Sequence, residues 1–470
     1  MIGVALETCR DEQNEGQERS FDRSSQKRVS ADRQSDHNRP MTGHPRIKFD
    51  PLPSECLVDQ TLVICIRGLA ARERVTVRLS NAAYGGGVLL SQAVFVADAN
   101  GVVDLSRDAP TSGSYEGIDA MGLFWSRAPV TGSAAAHHGD VSKDPFTVTL
   151  TAVAEDGKTA VSQYIKRAFA GAGVSTREVR ELGLVGKMFE PANPGPHRTV
   201  LVVGGSGGGL AWSQEMAALL ASHGFAALAL AYFAAEGLPP TLDRIPLEYF
   251  ETALQWLVAQ PGVAANHIAV TGVSRGGELA LLLGATFLQI RAVVAYVPSG
   301  IIWPAYPASG YSAWTLAGQE IPFATTLSYE EWDKELAAGR AREGSFDWYL
   351  IPLRDPDYAA RASIPVENIQ GPVLMISGVD DGLWPSSELT EFAVRRLNQK
   401  GFAHRVEHLS YPGAGHSIAW PNAPTTMLKS KHPVSGEDMD MGGTPEGTAR
   451  ARQDSWPRML SFLRNALVDG

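Results

Sequence analysis

Gly272-Val273-Ser274-Arg275-Gly276 is the string in this 470-residue chain whose residue types and spacing point most directly to chemistry. A G-x-S-x-G string is a weak signal by itself in a chain with 47 glycines. Its setting says more. An apolar run over 267–271 leads into it, and a helical pattern over 278–285 leaves it. That is the arrangement of a nucleophile elbow, in which a sharp strand-to-helix turn lifts a serine Oγ above a sheet. The turn brings two backbones together, so small residues are needed. Gly272 and Gly276 supply them, and Gly277 adds slack. The plain alternative is an ordinary glycine-rich turn.

A serine hydroxyl is a poor nucleophile at neutral pH and needs a base within hydrogen-bond reach. In α/β-hydrolases the partners follow in the order serine, acid, histidine. An apolar run over 373–377 ends in Gly378-Val379-Asp380-Asp381-Gly382, and Asp381 has the better spacing for the acid at the end of a late strand. Asp380 is the alternative, and either residue suits a cap before the helical pattern over 386–396. The next apolar run, 406–411, leads into Pro412-Gly413-Ala414-Gly415-His416, so His416 is the expected base. His404 and His408 read as structural residues at the entry to that strand and on it. An oxyanion needs fixed backbone donors. The N–H of Arg275 is one candidate, and Gly205 or Ser206, in Gly204-Gly205-Ser206-Gly207-Gly208-Gly209, is the other. The same glycine run lacks the Gly-Lys-Ser/Thr ending of a phosphate loop, and no acid follows the second strand at Ala231-Tyr232, so a nucleotide is not its expected ligand.

These residues need a sheet to hold them. Apolar runs over 199–203, 226–231, 267–271, 292–297, 373–377 and 406–411 alternate with helical patterns up to 222 and over 247–259, 278–285 and 386–396. Strands apolar on both faces, alternating with helices, indicate a mostly parallel sheet covered by helices, the α/β-hydrolase class, over residues 171–470. A stretch rich in Tyr, Trp and Pro, about 298–370, interrupts the alternation and reads as a cap-like insertion. Its Trp303, Tyr306, Tyr311 and Trp314 either line an acyl pocket or form the cap's own core. Residues 46–170 carry short β-prone runs at 57–67, 74–79, 88–97, 146–154 and 160–168, the pattern of an all-β sandwich. Within it, 130–144 reads as a loop, and His137-His138 as solvated residues with no further ligand at metal-binding spacing. Residues 1–45 are polar and read either as a disordered leader or as a mis-assigned start ahead of Met41.

Composition narrows the rest. Charged residues are 20 % of the chain and the net charge is −10, which argues against non-specific nucleic-acid binding. Cys9, Cys56 and Cys65 form neither a disulfide framework nor a metal set. No apolar stretch is long enough to span a bilayer, and no secretory or peroxisomal signal is evident, so a cytoplasmic location is the expectation. No cofactor or metal is required by the chemistry outlined. Lys429 and Lys431 are either contacts for CoA phosphates or a solvated charge cluster.

The chain resembles the acyl-CoA thioesterase/bile acid-CoA:amino acid N-acyltransferase (BAAT) family. The resemblance rests on Asp108-Ala-Pro with Gly113-Ser114-Tyr115-Glu116-Gly117-Ile118-Asp119, Met121-Gly122-Leu123 and Trp125-Ser126. It rests also on Gly224-Phe225-Ala226, on Leu230-Ala231-Tyr232, on Gly272 through Ala280 and on Tyr411 through His416. It implies an immunoglobulin-like sandwich before the α/β-hydrolase domain, a triad at Ser274, Asp381 and His416, and an acyl-CoA substrate. It also implies Cys at the nucleophile position in transferases and Ser in thioesterases. With Ser274 the expectation is a thioesterase releasing free acid and CoA. The rivals are a carboxylesterase or dienelactone-hydrolase-like esterase, an acyl-CoA:amino acid N-acyltransferase, and a non-catalytic binding protein. The last would be expected to have lost part of the triad.

Overall fold

Residues 175–411 lay down eight strands whose buried faces dictate their place in one sheet. They are β1 (Ser175–Val179), β2 (Val185–Glu190), β3 (His197–Val203), β4 (Ala226–Ala231), β5 (Val263–Val273), β6 (Ile290–Tyr296), β7 (Val373–Gly378) and β8 (Val406–Tyr411). The order across the sheet is β1-β2-β4-β3-β5-β6-β7-β8. β1 and β2 run antiparallel to their neighbours; from β4 onward every pairing is parallel. Every residue of β4 and of β7 is buried, as expected of strands covered on both faces. The structure, a computed structural model, describes residues 47–83, 87–130 and 145–467. The leader and the loop with His137 and His138 lie outside them.

Five helices close the two faces. α2 (Glu248–Val258), α3 (Arg275–Thr286) and α4 (Ser386–Gln399) share one apolar core, to which Phe250, Leu254, Leu279, Leu283 and Leu397 contribute. α1 (Ala211–Ser222) and α5 (Pro445–Ala466) share the other, with Met216, Leu220, Met459 and Leu463. The chain leaves β3 toward β4 on one side and returns to β5 on the other. The crevice between the C-terminal ends of β3 and β5 is therefore the point where the winding reverses, the usual place for a ligand in such sheets. These are the features of an α/β-hydrolase.

The preceding residues form an all-β unit. One sheet joins Lys48–Phe49, Cys65–Arg67 and Val103–Asp104; the other has Glu55–Leu57, Ala160–Ala168, Phe146–Ala154, Arg74–Ala82 and Val88–Val96 in that order, extended at its edge by Ser112–Gly113 and Ala128–Pro129. Alternation fixes which face is inward: Val75, Val77 and Leu79 are buried while Arg74 and Arg78 are exposed. One expected strand, 57–67, is two short ones with a turn between. The Gln60 N–H bonds to the Leu57 carbonyl at 3.2 Å, and Asp59 turns out to meet Trp456 Nε1 of α5 at 2.8 Å. Between β6 and β7, the stretch rich in aromatics holds short strands at Trp314–Leu316 and Gln319–Glu320 and helices at Tyr329–Ala337, Asp347–Leu350 and Pro356–Ala362.

Candidate active site

Ser274 sits between β5 and α3 with φ 59° and ψ −123°. This is a sparsely populated conformation for a residue with a side chain, of the kind that costs on the order of 1–3 kcal/mol and persists only where the surroundings enforce it. Three bonds enforce it here. The Ser274 N–H donates to the Tyr296 carbonyl of β6 at 2.8 Å, and the Ser274 carbonyl accepts from Gly277 at 2.8 Å and Glu278 at 3.0 Å. The glycines are needed for clearance: a methyl group on Gly272 would lie 2.0 Å from the Gly276 carbonyl oxygen, and one on Gly276 would lie 2.2 Å from that of Gly204. The Arg275 N–H stands at the first position of α3, where helix geometry supplies no acceptor.

The loop after β3 faces this elbow. A methyl group on Gly205 would stand 2.9 Å from the Val273 carbonyl oxygen and 3.8 Å from Ser274 Oγ. Gly205 thus stands against the serine at the reversal point of the sheet. The loop's ends are pinned, Gly204 by Tyr232 Oη on its carbonyl at 2.7 Å and Gly209 by its N–H on the Phe233 carbonyl at 3.0 Å.

His416 and Asp381 are brought together from the ends of β8 and β7. His416 Nδ1 lies 2.8 and 3.0 Å from the two Asp381 oxygens, with both residues buried. A carboxylate there accepts, so Nδ1 carries the proton and Nε2 is left as the basic nitrogen. Asp381 Oδ1 also accepts from the Leu383 N–H at 3.0 Å, which aims the carboxylate. Asp380, the alternative acid, bonds the Gly413 N–H at 2.6 Å and so fastens the histidine loop from below. Among the described residues no Ser274 Oγ–His416 Nε2 hydrogen bond is present; catalytic bonds of this type are often long until substrate is bound.

Other residues singled out from the sequence separate cleanly. His408 bonds Ser377 at 2.7 Å and Glu391 at 3.0 Å, a serine–histidine–carboxylate string in outline. Ser377 lies within β7 and is 0 % exposed, so no substrate reaches it and the string is structural. Trp303 and Trp314 are buried, and their indole N–H groups are spent on Ser299 Oγ and on Glu278. Tyr311 is 45 % exposed under the Arg244 guanidinium. Tyr306 packs its ring on His432. Lys431 pairs with Asp438 at 2.6 Å and Lys429 with Asp440 at 3.6 Å across a hairpin (Lys429–Lys431 with Asp438–Asp440). No group of three or more His, Cys, Asp or Glu among the described residues is arranged to hold a metal ion, and no helix there is long and apolar enough to cross a membrane.

Residues 59–181 match the acyl-CoA thioester hydrolase/BAAT N-terminal region, and residues 245–469 match the BAAT/acyl-CoA thioester hydrolase C terminal. Acyl-coenzyme A thioesterase 6 of Mus musculus is 32 % identical over 431 residues, 90 % of this chain and 96 % of its own length. The chain belongs to the acyl-CoA thioester hydrolase/BAAT family. Human acyl-coenzyme A thioesterase 1 is 31 % identical over 88 % of this chain and 94 % of its own length. Acyl-coenzyme A amino acid N-acyltransferase 1 of Mus musculus is 32 % identical over 90 % of this chain and 98 % of its own length. Both kinds of acyl-CoA thioester hydrolase/BAAT relative are thus about equally similar, and overall identity does not choose between them.

Two features of this member of the acyl-CoA thioester hydrolase/BAAT family escape sequence reasoning. Met441–Gly443 crosses beneath the site, where the Met441 carbonyl accepts the His416 N–H at 2.7 Å and Gly442 pairs with Asp381. The Gly442-Gly443 pair was the only trace of that close approach. The buried pair Arg275–Glu278, 3.0 Å apart on the first turn of α3, was signalled by two charges three residues apart in an otherwise apolar helix.

Proposed function

We propose that this protein hydrolyses fatty acyl-CoA thioesters to free acid and CoA through an acyl-serine intermediate. The observation that carries the reading is the meeting of Ser274, strained at its elbow, with the Gly205–Ser206 loop at the reversal point of the sheet in a chain of this family. His416, held by Asp381, takes the Ser274 proton as Oγ attacks the thioester carbonyl. The Arg275 amide and those of Gly205 and Ser206 receive the oxyanion, and CoA leaves as a thiol after protonation by His416. Water then attacks the acyl ester with His416 again as base, returning free acid and Ser274. No step draws on a metal or cofactor; coenzyme A enters as part of the substrate.

Serine at position 274 favours hydrolysis over transfer, because an acyl-serine is an oxygen ester readily attacked by water. Equal identity to an N-acyltransferase keeps transfer to glycine or taurine as the second reading. The deciding experiment follows free thiol from acyl-CoAs between acetyl and palmitoyl, with Ser274→Ala beside the wild type. Release should depend on Ser274 and peak at one chain length. Full activity of Ser274→Ala would sink the mechanism, p-nitrophenyl esters turned over far better than any acyl-CoA would favour an oxygen esterase, and amide formed in preference to free acid would favour transfer.

A further inference from the structure

The loop between β3 and α1 opens with Gly204-Gly205-Ser206-Gly207-Gly208-Gly209, and within that run Ser206 is the single residue with a side chain. Glycine runs are the softest backbone a chain has, since each residue reaches conformations closed to the others. A loop that must hold amides still beside a nucleophile therefore needs an outside hold, and between its pinned ends the only side chain to grasp is Ser206.

His432 grasps it. His432 lies on the far segment that also passes under the catalytic histidine, is 5 % exposed, and has Nε2 3.0 Å from Ser206 Oγ. Its other nitrogen, Nδ1, accepts backbone N–H groups from Val434 and Ser435, both at 3.2 Å. A nitrogen that accepts two N–H groups carries no proton, so the neutral ring's proton is on Nε2 and is donated to Ser206. Burial pushes the imidazole below its ordinary value against an opposing pull from Glu437, which keeps it neutral near pH 7. The ring is itself fixed. Tyr306 packs edge-on at 4.7 Å and its hydroxyl bonds Ser435 at 2.8 Å and the Glu437 carboxylate, while the His432 N–H donates to the Glu437 carbonyl at 2.8 Å.

We propose that His432 is a positioning residue for the oxyanion-binding loop: its Nε2–H holds the Ser206 hydroxyl and thereby fixes the Gly205 and Ser206 amides beside Ser274. The proposal rests on the serine-hydrolase reading above and adds a residue to it. His432 touches no reacting atom; it acts through Ser206. Through Tyr306 it also links the stretch between β6 and β7 to the oxyanion loop.

The test is thiol release from the best acyl-CoA by the full chain carrying His432→Ala, His432→Gln, Ser206→Ala or His432→Ala with Ser206→Ala, with Ser274→Ala as control. A lost oxyanion donor costs about 10²–10³ in kcat, and a misplaced group about 10². His432→Ala is expected to lower kcat by about 10- to 100-fold with KM within about twofold, since loop placement matters most when charge develops. His432→Gln should recover most of the loss, because its amide N–H reaches the position of Nε2. Ser206→Ala should match His432→Ala, and the double variant should fall no further, as expected when two residues act through one bond. If His432→Ala does not fold, the fall in Ser206→Ala and the recovery in His432→Gln carry the test. Ser206→Ala with wild-type kcat, or losses that multiply in the double variant, overturns the proposal while Ser274 remains essential. An active Ser274→Ala instead removes the reading beneath it.

Discussion

Adjacent carboxylates at 380 and 381 have different partners. Asp381 accepts from His416 Nδ1 and the Leu383 amide, whereas Asp380 accepts from the Gly413 amide of the histidine loop. Their substitution by asparagine should therefore separate. Asp381→Asn presents an amide that no longer requires Nδ1 to be the protonated nitrogen, so kcat for thiol release is expected to fall by roughly 10³–10⁴. Asp380→Asn keeps an acceptor for Gly413; kcat should drop less than about tenfold and stability by about 1 kcal/mol in urea unfolding. Equal losses in the two variants would mean that the carboxylates share the task. The candidate site residues were legible because local rules produced them: a small-residue turn marked Ser274, and chain order marked an acid and a histidine at the ends of late strands. Spacing in the sequence favours Asp381 over Asp380, and in the structure Asp381 is the one that meets His416. The pairing of Gly442 with Asp381, a contact between segments about 60 residues apart, leaves only a glycine pair as its trace.

Elements were legible where both faces are buried, and less so elsewhere. β4 coincides with the expected run 226–231, and β7 extends the expected run 373–377 by one residue. β1 is four-fifths exposed and β2 carries Gly186 and Lys187, so neither shows an apolar run, and both went unread. α5 has a polar outer face and Pro457 in its interior, and no helix is expected there from the sequence. The interruption after β6 was visible as composition, but what ties it to the elbow was not. Glu278 of α3, 0 % exposed, accepts from Trp314 Nε1 at 2.7 Å and faces Arg275 Nε at 3.0 Å, and Arg275 in turn donates to the carbonyls of Trp303 at 3.0 Å and Pro304 at 2.8 Å. Glu278→Ala leaves that guanidinium buried without its counter-charge, and urea unfolding should show a loss of about 3–5 kcal/mol. Burial raises the Glu278 carboxyl above 4.5 and outweighs the pull of Arg275. Between 4.5 and the raised folded value the native chain holds this proton and the unfolded chain does not. Glu278's contribution is therefore full below 4.5 and is lost as pH rises through the folded value. Relative to Glu278→Gln, the wild type should lose stability as pH rises across that interval; parallel stability curves for the two proteins would refute this.

At the scale of the whole molecule, the all-β unit holds the segment that follows His416. The Thr425 N–H donates to the Trp125 carbonyl at 3.0 Å, Thr426 Oγ to the Arg127 carbonyl at 2.5 Å, and Asn422 Nδ2 to the Val58 carbonyl at 3.2 Å. Arg127, 2 % exposed, has no carboxylate partner among the described residues. Carbonyl oxygens of Phe124 and Asn422 and the Asn81 side chain solvate it. From the other side Arg452 of α5 donates to the Ser417 carbonyl, next to His416, at 2.7 Å. Residues 417–426 are thus clamped between the two units, and on the proposed mechanism a change at the clamp should reach thiol release without touching Ser274, Asp381 or His416. Asn422 allows this to be measured, because two of its properties separate by substitution. Its φ is 67°, in the left-handed region, and its amide makes the bond to Val58. Asn422→Gly keeps the backbone conformation and loses the bond, at about 1 kcal/mol. Asn422→Ala loses both, at about a further 1–2 kcal/mol for the left-handed conformation. If the clamp positions His416, kcat for thiol release should fall in the order wild type, Gly, Ala, with KM nearly constant and with loss of stability tracking loss of kcat. Stability falling in that order while kcat stays level would confine the all-β unit to a folding role and leave the histidine loop to Asp380 and Met441 alone.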